Sequence, residues 1–441
     1  MLTRREFTKT LAGSAAGLAL SSTAKSYARI VGSNERVHVA VIGLNSRAYA
    51  HLSGLQANKA TAAITHVADV ESNILAKYAA AVEKTTGAAP KQEKDFRKLL
   101  ANKDVDAITI ATPDHWHTPM AMLGMQAGKD VYVEKPCSHN LHEAELLVAS
   151  QKKTGRVLQM GNQQRSSPHT IEIIGQIKSG IVGNAYYAKA WYTNNRKGIG
   201  VGKPAAVPAT LDWDLFQGPA PRREYKDNIQ PYNWHWFHHW GTGEALNNGT
   251  HEVDVCRWAL GVDFPERVTA SGGRYAFTDD WEFYDTLNTS FEYPGKLIEW
   301  EGRCCNDMPI YGRDRGLAVY GTTGAVIIDR DGYEIHDLKG KMVKEFKLSK
   351  EKTSSNDTVG RDSMTDLHFA NFLTAIKTPG TKLDSPIADA SISVSLLLMS
   401  NIAYDLKRDL KVDPKTGAFL NDAQATAKRT RAYEKGWEPK V

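Results

Sequence analysis

The stretch VHVAVIGLNSRA, residues 37–48, joins a short apolar run to a turn that contains one glycine. The apolar run predicts a buried strand, and Gly43 supplies the tight turn that leads into a helix. Ala48 is small enough for close packing of that helix on the strand. Asn45 stands where dinucleotide-binding turns carry a second glycine, and asparagine tolerates a positive φ but crowds a phosphate. By itself, the turn fits an ordinary strand–helix connection equally well.

The surrounding sequence strengthens the dinucleotide interpretation. Short apolar runs alternate with helical stretches from residue 36 to about 160; the strands are predicted over 37–42, 64–68, 107–111, 131–133 and 157–160. Helices are predicted over 120–127 and 141–154. Alternating strands and helices indicate an α/β fold with a doubly wound parallel sheet, so we expect a Rossmann domain over residues 29–160.

Asp69 ends the second predicted strand, where an acid can accept hydrogen bonds from the ribose hydroxyls of an adenosine. Val70 and Glu71 follow, and no arginine comes next to bind a 2′-phosphate. The pattern favours NAD over NADP. A solvated acid at a strand end is the ordinary alternative.

The character of the sequence changes after Gly161. One helix is predicted over 167–179 with Ile171, Ile174 and Ile177 on one face, and a loop rich in glycine, proline and tryptophan over 194–240. Strands without intervening helices follow at 267–272, 286–293, 296–303, 316–320 and 326–329, before helices at 368–376 and 387–407. This order predicts a substrate-binding α+β domain over 161–441, with a mainly antiparallel open sheet and C-terminal helices. Because an open sheet face usually needs cover, we also expect a homo-oligomer through that sheet.

Composition excludes several classes of protein. The formal net charge is +5 over 441 residues, and part of it lies in the first 28, so the rest lacks the basic footprint of nucleic-acid binding. Apolar runs are shorter than the roughly 20 residues of a membrane span, so no span is expected. The four cysteines have no zinc-finger or CxxC spacing.

The N-terminal segment resembles an address for export. Residues 3–9, TRREFTK, contain a twin arginine, a mildly apolar stretch follows at 11–20, and Ser26-Tyr27-Ala28 offers small residues for cleavage. We expect residues 1–28 to be a Tat-type signal peptide and the protein to be periplasmic or otherwise exported. A disordered basic tail is the alternative.

Three further motifs carry a family resemblance: ATPDHWH at 111–117, VEKP at 133–136 and GTHEVD at 249–254. With the turn at 43–48, the chain resembles the Gfo/Idh/MocA oxidoreductases, named for glucose–fructose oxidoreductase, inositol dehydrogenase and the MocA proteins. The twin-arginine export also resembles the glucose–fructose branch. The resemblance implies an NAD cofactor, for which tight binding is left open, held by Gly43, Asn45, Ser46, Arg47, Asp69, Thr112, Pro113, His117, Glu134 and Lys135.

Lys135 and His251 match the family's catalytic residues. An ammonium at Lys135 would polarise the substrate oxygen and relay its proton, while an imidazole at His251 would exchange a proton around neutral pH. Asp254 lies three residues further along a predicted helix and could orient the ring. A surface lysine and a core histidine are the ordinary alternatives.

The sequence departs from the family pattern at Asn247. Inositol dehydrogenase-like members carry an aspartate there, four residues before the catalytic histidine. An amide cannot ionise, so it can hold a hydroxyl but cannot support an imidazolium. Either Lys135 and His251 suffice, or another acid replaces the aspartate.

The loop NWHWFHHW, residues 233–240, is the main candidate for sugar contacts, because aromatic rings stack on sugars and histidines bond their hydroxyls. An aromatic packing loop is the alternative, and a metal at His235 and His239 is a weaker one, since no acid or thiol lies among them; we expect no metal. Gln163, Tyr192 and Asn194 are further polar candidates. The predicted substrate-binding residues are Gln164, Arg165, Arg196, Trp234, His235, Asn247 and His251.

These observations predict an NAD(H)-dependent oxidoreductase that oxidises or reduces a secondary hydroxyl of a sugar, glycoside or cyclitol. Two alternatives remain open. One is an NAD-dependent glycoside hydrolase that oxidises a sugar transiently, eliminates the aglycone and then reduces the product. The other is a protein that retains the cofactor without turnover.

Overall fold

The computed structural model describes residues 36–348 and 362–441 of the chain. The twin-arginine segment at residues 1–28 lies outside these ranges. The described residues form two sheets, and each sheet carries helices.

The first sheet has six parallel strands in the order β3-β2-β1-β4-β5-β6. They are β1 (Val37–Ile42), β2 (Ala62–Ala68), β3 (Lys91–Glu93), β4 (Ala107–Ile110), β5 (Asp130–Val133) and β6 (Leu158–Met160). The helices between them span Ala48–Ala57, Ser72–Thr86, Phe96–Ala101, Asp114–Gln126 and Leu141–Thr154. This topology confirms the predicted doubly wound Rossmann domain.

Two details differ from the prediction in this half. The short edge strand β3 is polar and mostly exposed, so it lacks the apolar signal of its neighbours. The helix predicted from residue 120 begins at Asp114, because Pro113 ends the strand connection and Pro119 is accommodated within the first turns.

The second sheet is mainly antiparallel, in the order β15-β14-β13-β12-β7-β10-β9-β8-β16, with β11 paired to β7. Only β7 and β10 run parallel. The strands are β7 (Ala185–Asn195), β8 (Arg267–Gly273), β9 (Thr286–Tyr293), β10 (Lys296–Arg303), β11 (Cys305–Asn306), β12 (Arg315–Gly321), β13 (Gly324–Ile328), β14 (Gly332–Asp337), β15 (Met342–Lys347) and β16 (Leu410–Lys411).

Helices of this half span Pro168–Lys178, Trp213–Gln217, Thr250–Leu260, Ser363–Lys377, Ile387–Leu406 and Ala423–Ala427. The predicted apolar face of the helix Pro168–Lys178 is only partly buried. Ile174 and Ile177 are buried, but Ile171 is 47% exposed and Ile173 takes its place in the core. The buried face is therefore shifted around the helix from the predicted one.

The second sheet has one face that packs on helices, and its other face carries charged and aromatic side chains. Lys189 pairs with Glu301 at 2.7 Å, and Tyr187 stacks on Tyr320 with 5.1 Å between ring centroids. Trp191 also lies on this face, but Ile310 and Tyr320 pack around it. This outer face is thus amphipathic.

The helix Ser363–Lys377 packs on the first domain although it lies far along the chain. Phe369, Phe372 and Leu373 are part of the buried cluster that contains β1 and β2 side chains. Phe369 stacks on Tyr132 with 4.4 Å between ring centroids, and a Cβ at Gly54 would lie 2.7 Å from the Phe369 ring. The Rossmann core is therefore completed by a distal segment.

The helix Ile387–Leu406 is, by length and composition, apolar enough to cross a membrane, with a mean hydropathy of 1.4. The sequence predicted a helix at 387–407 but no segment apolar enough for a membrane span. Its most apolar window is 72% buried inside the protein. A helix that packs into a core has the same composition, and this helix contacts β8 and the helix Thr250–Leu260.

Candidate active site

A long cavity opens at the carboxyl ends of β1, β4 and β5, where the strand order of the first sheet reverses. Ligands of doubly wound folds bind at this position. Residues of both sheets line the cavity. Its nucleotide end contains the turn 43–47 and Asp69, and its reaction end contains Lys135, Asn247, His251 and Arg330.

Gly43 is the glycine that the turn requires. Its φ is +79°, and a Cβ there would lie 2.6 Å from the backbone nitrogen of Thr112. The positive φ expected at Asn45 occurs instead at Ser46, with a φ of 44°. The Asn45 side chain accepts a hydrogen bond from the Ser46 N–H at 3.0 Å, which fixes the turn from within.

Asp69 holds the nucleotide end together. Its carboxylate accepts hydrogen bonds from the backbone N–H of Leu44 at 2.7 Å and of Glu71 at 2.9 Å. Burial raises the pKa of Asp69 to about 6, although these bonds oppose the shift. A carboxylate has about four acceptor sites, so further sites remain for ribose hydroxyls.

Arg47 and Glu134 belong to a buried network rather than presenting free charges. Glu134 accepts hydrogen bonds from Arg47 at 2.8 Å, from His51 at 3.0 Å and from Gln163 at 3.2 Å. Burial would raise the pKa of Glu134, but the Arg47 guanidinium and His51 hold it well below its usual range. The network joins the turn after β1 to the ends of β5 and β6.

His117 joins the ends of β4 and β5. Its Nδ1 lies 2.6 Å from the carbonyl oxygen of Pro136, and its Nε2 lies 2.8 Å from that of Thr112. Thr112 and Pro113 line the cavity beside it. His117 therefore positions the segments that carry Thr112 and Lys135.

The residues at the nucleotide end fit a dinucleotide. The turn approaches β4 so closely that a side chain at residue 43 would collide with backbone. The hydroxyl oxygen of Thr112 is buried without a hydrogen-bond partner among the described residues, which leaves it available to a ligand. Backbone N–H groups at the start of the helix Ala48–Ala57 suit a pyrophosphate.

Lys135 reaches the reaction end from the end of β5. Its ammonium donates hydrogen bonds to the backbone carbonyl of Asn247 at 2.5 Å and to the Asn247 side-chain oxygen at 3.2 Å. Burial lowers the pKa of Lys135 to about 8, even though Glu134 and Asp114 oppose the shift. Both protonation states are thus accessible near neutral pH.

A π-helical turn, Ala245–Gly249, leads into the helix Thr250–Leu260 and places Asn247 and His251 on the cavity wall. A Cβ at Gly249 would lie 2.6 Å from the Trp300 indole nitrogen, so glycine allows this close approach to β10. Such turns are frequent at functional sites.

His251 is buried, and its Nδ1 has no hydrogen-bond partner in the described parts of the chain. Burial, together with the charges of Arg330, Lys135 and Arg315, lowers the pKa of His251 well below its usual range. This corrects the expected exchange of a proton around neutral pH. The ring is therefore neutral near pH 7, and its buried Nδ1 is bonded by no described residue.

Asp254 does not orient His251, contrary to the prediction. Its carboxylate accepts hydrogen bonds from Arg165 at 2.6 and 2.9 Å and from Ser393 at 2.6 Å. Arg165 is therefore held in ion pairs, with Asp389 as a second partner, and stacks over Trp258. Neither Arg165 nor Gln164 lines the cavity, so the structure does not place these two predicted substrate residues at the site.

Some residues of the aromatic loop 233–240 pack inside the protein, and others line the cavity. Trp236 stacks on Trp281 at 4.0 Å and is buried, as is Trp240, so these rings are packing residues. Trp234 and His235 line the cavity, with their rings stacked at 3.5 Å. His239 bonds the Pro221 carbonyl, and within residues 36–348 and 362–441 no group of three metal-binding side chains is assembled.

Arg196 lines the same wall as the aromatic loop. Its guanidinium donates to Glu244 at 2.9 Å and lies over the ring of Trp236 at 5.0 Å. Gln163, Tyr192 and Asn194, the weaker candidates, also line the cavity.

Several cavity residues were not predicted from the sequence, among them Lys94, Tyr232, Arg315 and Arg330. Arg315 opens β12 and donates to Glu252 at 2.7 Å. Arg330 follows β13. The two arginines flank the β12–β13 hairpin in the sequence, but this spacing matches no recognised motif.

Comparisons with known proteins agree with this geometry. A family model described as "Oxidoreductase family, NAD-binding Rossmann fold" matches residues 37–162, and the model of the GFO/IDH/MocA C-terminal domain matches residues 200–327. The WlbA dehydrogenase of Bordetella pertussis, solved with NADH and UDP-GlcNAcA, has a TM-score of 0.62 at 17% identity over 86% of this chain and 99% of its own.

Two curated relatives are more similar in sequence. The scyllo-inositol 2-dehydrogenase (NAD(+)) of Bacillus subtilis is 26% identical over 54% of this chain. A glycosyl hydrolase family 109 protein of Saccharopolyspora erythraea is 33% identical over 30% of it. The chain spans 59% and 30% of the lengths of these relatives. With both family models matched in order along one chain, the protein belongs to the Gfo/Idh/MocA oxidoreductase family.

Proposed function

We propose that the protein is an NAD(H)-dependent oxidoreductase acting on a secondary hydroxyl of a sugar, glycoside or cyclitol. One observation carries this proposal: Lys135 and His251 line the same cavity, beside a turn in which Gly43 allows a close approach of the backbone. A nicotinamide bound there supplies the acceptor or donor of the hydride. The protein's own groups must then bind the carbinol and move its proton.

Lys135 is the group that moves the proton. With a pKa lowered to about 8, its neutral amine can accept the proton of a hydroxyl during oxidation, and its ammonium can return the proton during reduction. The Asn247 oxygens bond the ammonium and orient it. Because Asn247 carries no charge, it does not raise the pKa of Lys135 as an aspartate would.

His251 holds the substrate. A neutral imidazole that lines the cavity can donate to or accept from a hydroxyl next to the reacting one. Trp234 offers a ring face to the sugar, and Tyr192 and His235 add polar atoms to the same wall. These contacts fix the carbinol against Lys135.

The chemistry of the nucleotide end supports NAD in preference to NADP. Asp69 and Glu71 place negative charge where a 2′-phosphate would lie. Lys94 is a cation at this end, but it interacts electrostatically with Glu71.

The test is direct. The purified protein is denatured to identify any released nucleotide, and the folded protein is then mixed with NAD and a panel of sugars, glycosides and inositols. We expect NADH absorbance at 340 nm with at least one compound. Absence of turnover with every compound, by a protein shown to bind NAD, would favour a binding protein without catalysis.

A second candidate is an NAD-dependent glycoside hydrolase, which the match to a family 109 glycosyl hydrolase supports. The Glu134-Lys135-Pro136 motif favours net oxidation or reduction instead. The two are separated by aryl glycosides: release of the phenol without net NADH would establish hydrolysis.

We further propose export through the twin arginine and self-association through the outer face of the second sheet. Arg4 and Arg5 are the address that such a translocon reads, so replacing both by lysine should retain the precursor in the cytoplasm. Tyr187 and Tyr320 offer aromatic surface to a second copy, and light scattering of the purified protein would measure its mass.

A further inference from the structure

Arg330 differs from the other arginines of the cavity. Three of these are paired with carboxylates at 2.7–2.9 Å: Arg47 with Glu134, Arg196 with Glu244, and Arg315 with Glu252. Arg330 forms no hydrogen bond or ion pair with any residue that the structure describes, and its Nε is buried without a partner. Among the described residues, Arg330 therefore has no hydrogen-bonded counter-ion.

The neighbouring acids do not neutralise Arg330. Glu252 and Asp362 attract it electrostatically, but neither bonds it. The Oε1 atom of Glu252 accepts from Arg315, and its Oε2 is buried without a partner in residues 36–348 and 362–441. Since an unpaired buried charge is costly, this arrangement is suited to an anion that comes from outside.

The location of Arg330 in the cavity leaves two sources for such an anion, the substrate and the cofactor. Arg330 lines the same cavity as Lys135, His251 and Arg315, and the charges of the three cations all lower the pKa of His251. Arg47 at the nucleotide end also lies within electrostatic range of Arg330. A cofactor phosphate is therefore the other source of an anion.

We propose that Arg330 binds a carboxylate of the substrate, and that the substrate is a sugar acid or its glycoside. This inference rests on the proposed function, because it places the reacting carbinol beside Lys135. The planar guanidinium presents parallel N–H donors that match a carboxylate in a bidentate pair. A neutral sugar would leave Arg330 unpaired in the complex.

The test uses the full-length, NAD-loaded protein and matched pairs of ligands: methyl glycosides and methyl glycosiduronates of the gluco, galacto and manno series. Calorimetry measures binding, and NADH absorbance gives kcat/KM. In at least one pair we expect the uronate to be favoured about 10–100-fold, the range of a hydrogen bond to a charged group. Absence of such a preference in every pair would overturn the proposal.

Variants of Arg330 test whether this arginine causes the preference for uronates over neutral glycosides. Arg330→Gln should reduce the ratio of uronate to neutral ligand about 10–100-fold, and Arg330→Lys should keep part of it, because the charge stays and the fork is lost. The control is Arg267→Gln, at an exposed ion pair outside the cavity, which should keep the full ratio. Thermal unfolding of each variant shows whether it is folded.

Two further outcomes distinguish a substrate carboxylate from a cofactor phosphate, and the carboxylate site from the dehydrogenase assignment. If Arg330→Gln weakens NAD binding and leaves uronate preference intact, Arg330 serves a cofactor phosphate and the proposal is wrong. If uronates bind through Arg330 but no ligand reduces NAD, the carboxylate site stands and the dehydrogenase assignment fails.

Discussion

The two ends of the cavity use their charges differently. At the nucleotide end, Asp69 and Arg47 are bonded to neighbouring protein groups before any ligand arrives. At the reaction end, His251 and Arg330 keep buried nitrogens that no described residue satisfies. Charges that neutralise each other maintain the shape of the protein, whereas unsatisfied ones are available to a ligand. Mutations should therefore mainly affect stability at the first end and turnover at the second.

The largest expected effect is at Lys135. Lys135→Met should slow hydride transfer by about 10²–10⁴-fold, the usual contribution of acid–base catalysis, while NAD still binds. Single-turnover formation of NADH measures the rate, and fluorescence titration measures NAD affinity. Lys152→Met, on an exposed helix end, is the control. Turnover at the wild-type rate in Lys135→Met would refute the catalytic assignment.

A substitution at Glu134 tests whether the nucleotide end mainly stabilises the fold. Glu134→Gln removes the buried carboxylate charge that Arg47 and His51 bond, so the free energy of unfolding should fall by about 3–5 kcal/mol. Thermal and urea unfolding measure this loss, and Glu145→Gln, whose side chain is exposed, serves as the control. An unchanged unfolding midpoint would show that the paired end does not stabilise the fold.

Asp69 tests whether the nucleotide end also selects its ligand. Asp69→Ala should narrow the preference for NAD over NADP by about tenfold, since each lost bond to a charged group is worth roughly 1.5–3 kcal/mol. The ratio of the two dissociation constants measures it. In the wild type, NAD affinity should fall as the pH drops through about 6, because protonation removes the acceptor. Copurification with NADP would contradict the cofactor assignment.

Asn247 gives the smallest and sharpest effect. In the wild type, oxidation should become faster as the pH rises through about 8 and reduction slower, because oxidation needs the neutral amine of Lys135. Asn247→Asp places a negative charge beside the ammonium, so the pKa should move toward its ordinary value of 10.5. The pH profile of kcat/KM measures the shift, with Asn306→Asp on the surface as the control. A profile that does not move would mean that Lys135 is not the titrating group.

The sequence predicted the nucleotide end better than the reaction end, for a physical reason. Gly43, Asp69 and Thr112 follow strands of one parallel sheet, and strand ends of such a sheet meet at one edge. Periodicity and turn chemistry therefore suffice to bring them together. Lys135 and His251 were placed by family resemblance, and the cavity contains both.

The remaining residues depend on packing between distant elements. Arg315 and Arg330 reach the cavity through the register of β12 and β13, which no local pattern specifies. Asp254 has the spacing to orient His251, but Arg165 from the segment after β6 binds it first. Spacing on a helix shows which residues share a face and does not show which partner the neighbouring element supplies.

The packing of the helix Ser363–Lys377 on the first domain has a consequence for biosynthesis. During synthesis, β1 to β6 leave the ribosome long before Phe369 and Phe372, which fill the space beside β1 and β2. Contacts between such distant segments slow folding, since a long loop must close first. A chain that stops before residue 363 therefore keeps an open apolar surface on its Rossmann sheet. Transiently exposed apolar surface of this kind makes incomplete chains prone to aggregation until the helix Ser363–Lys377 has been synthesised.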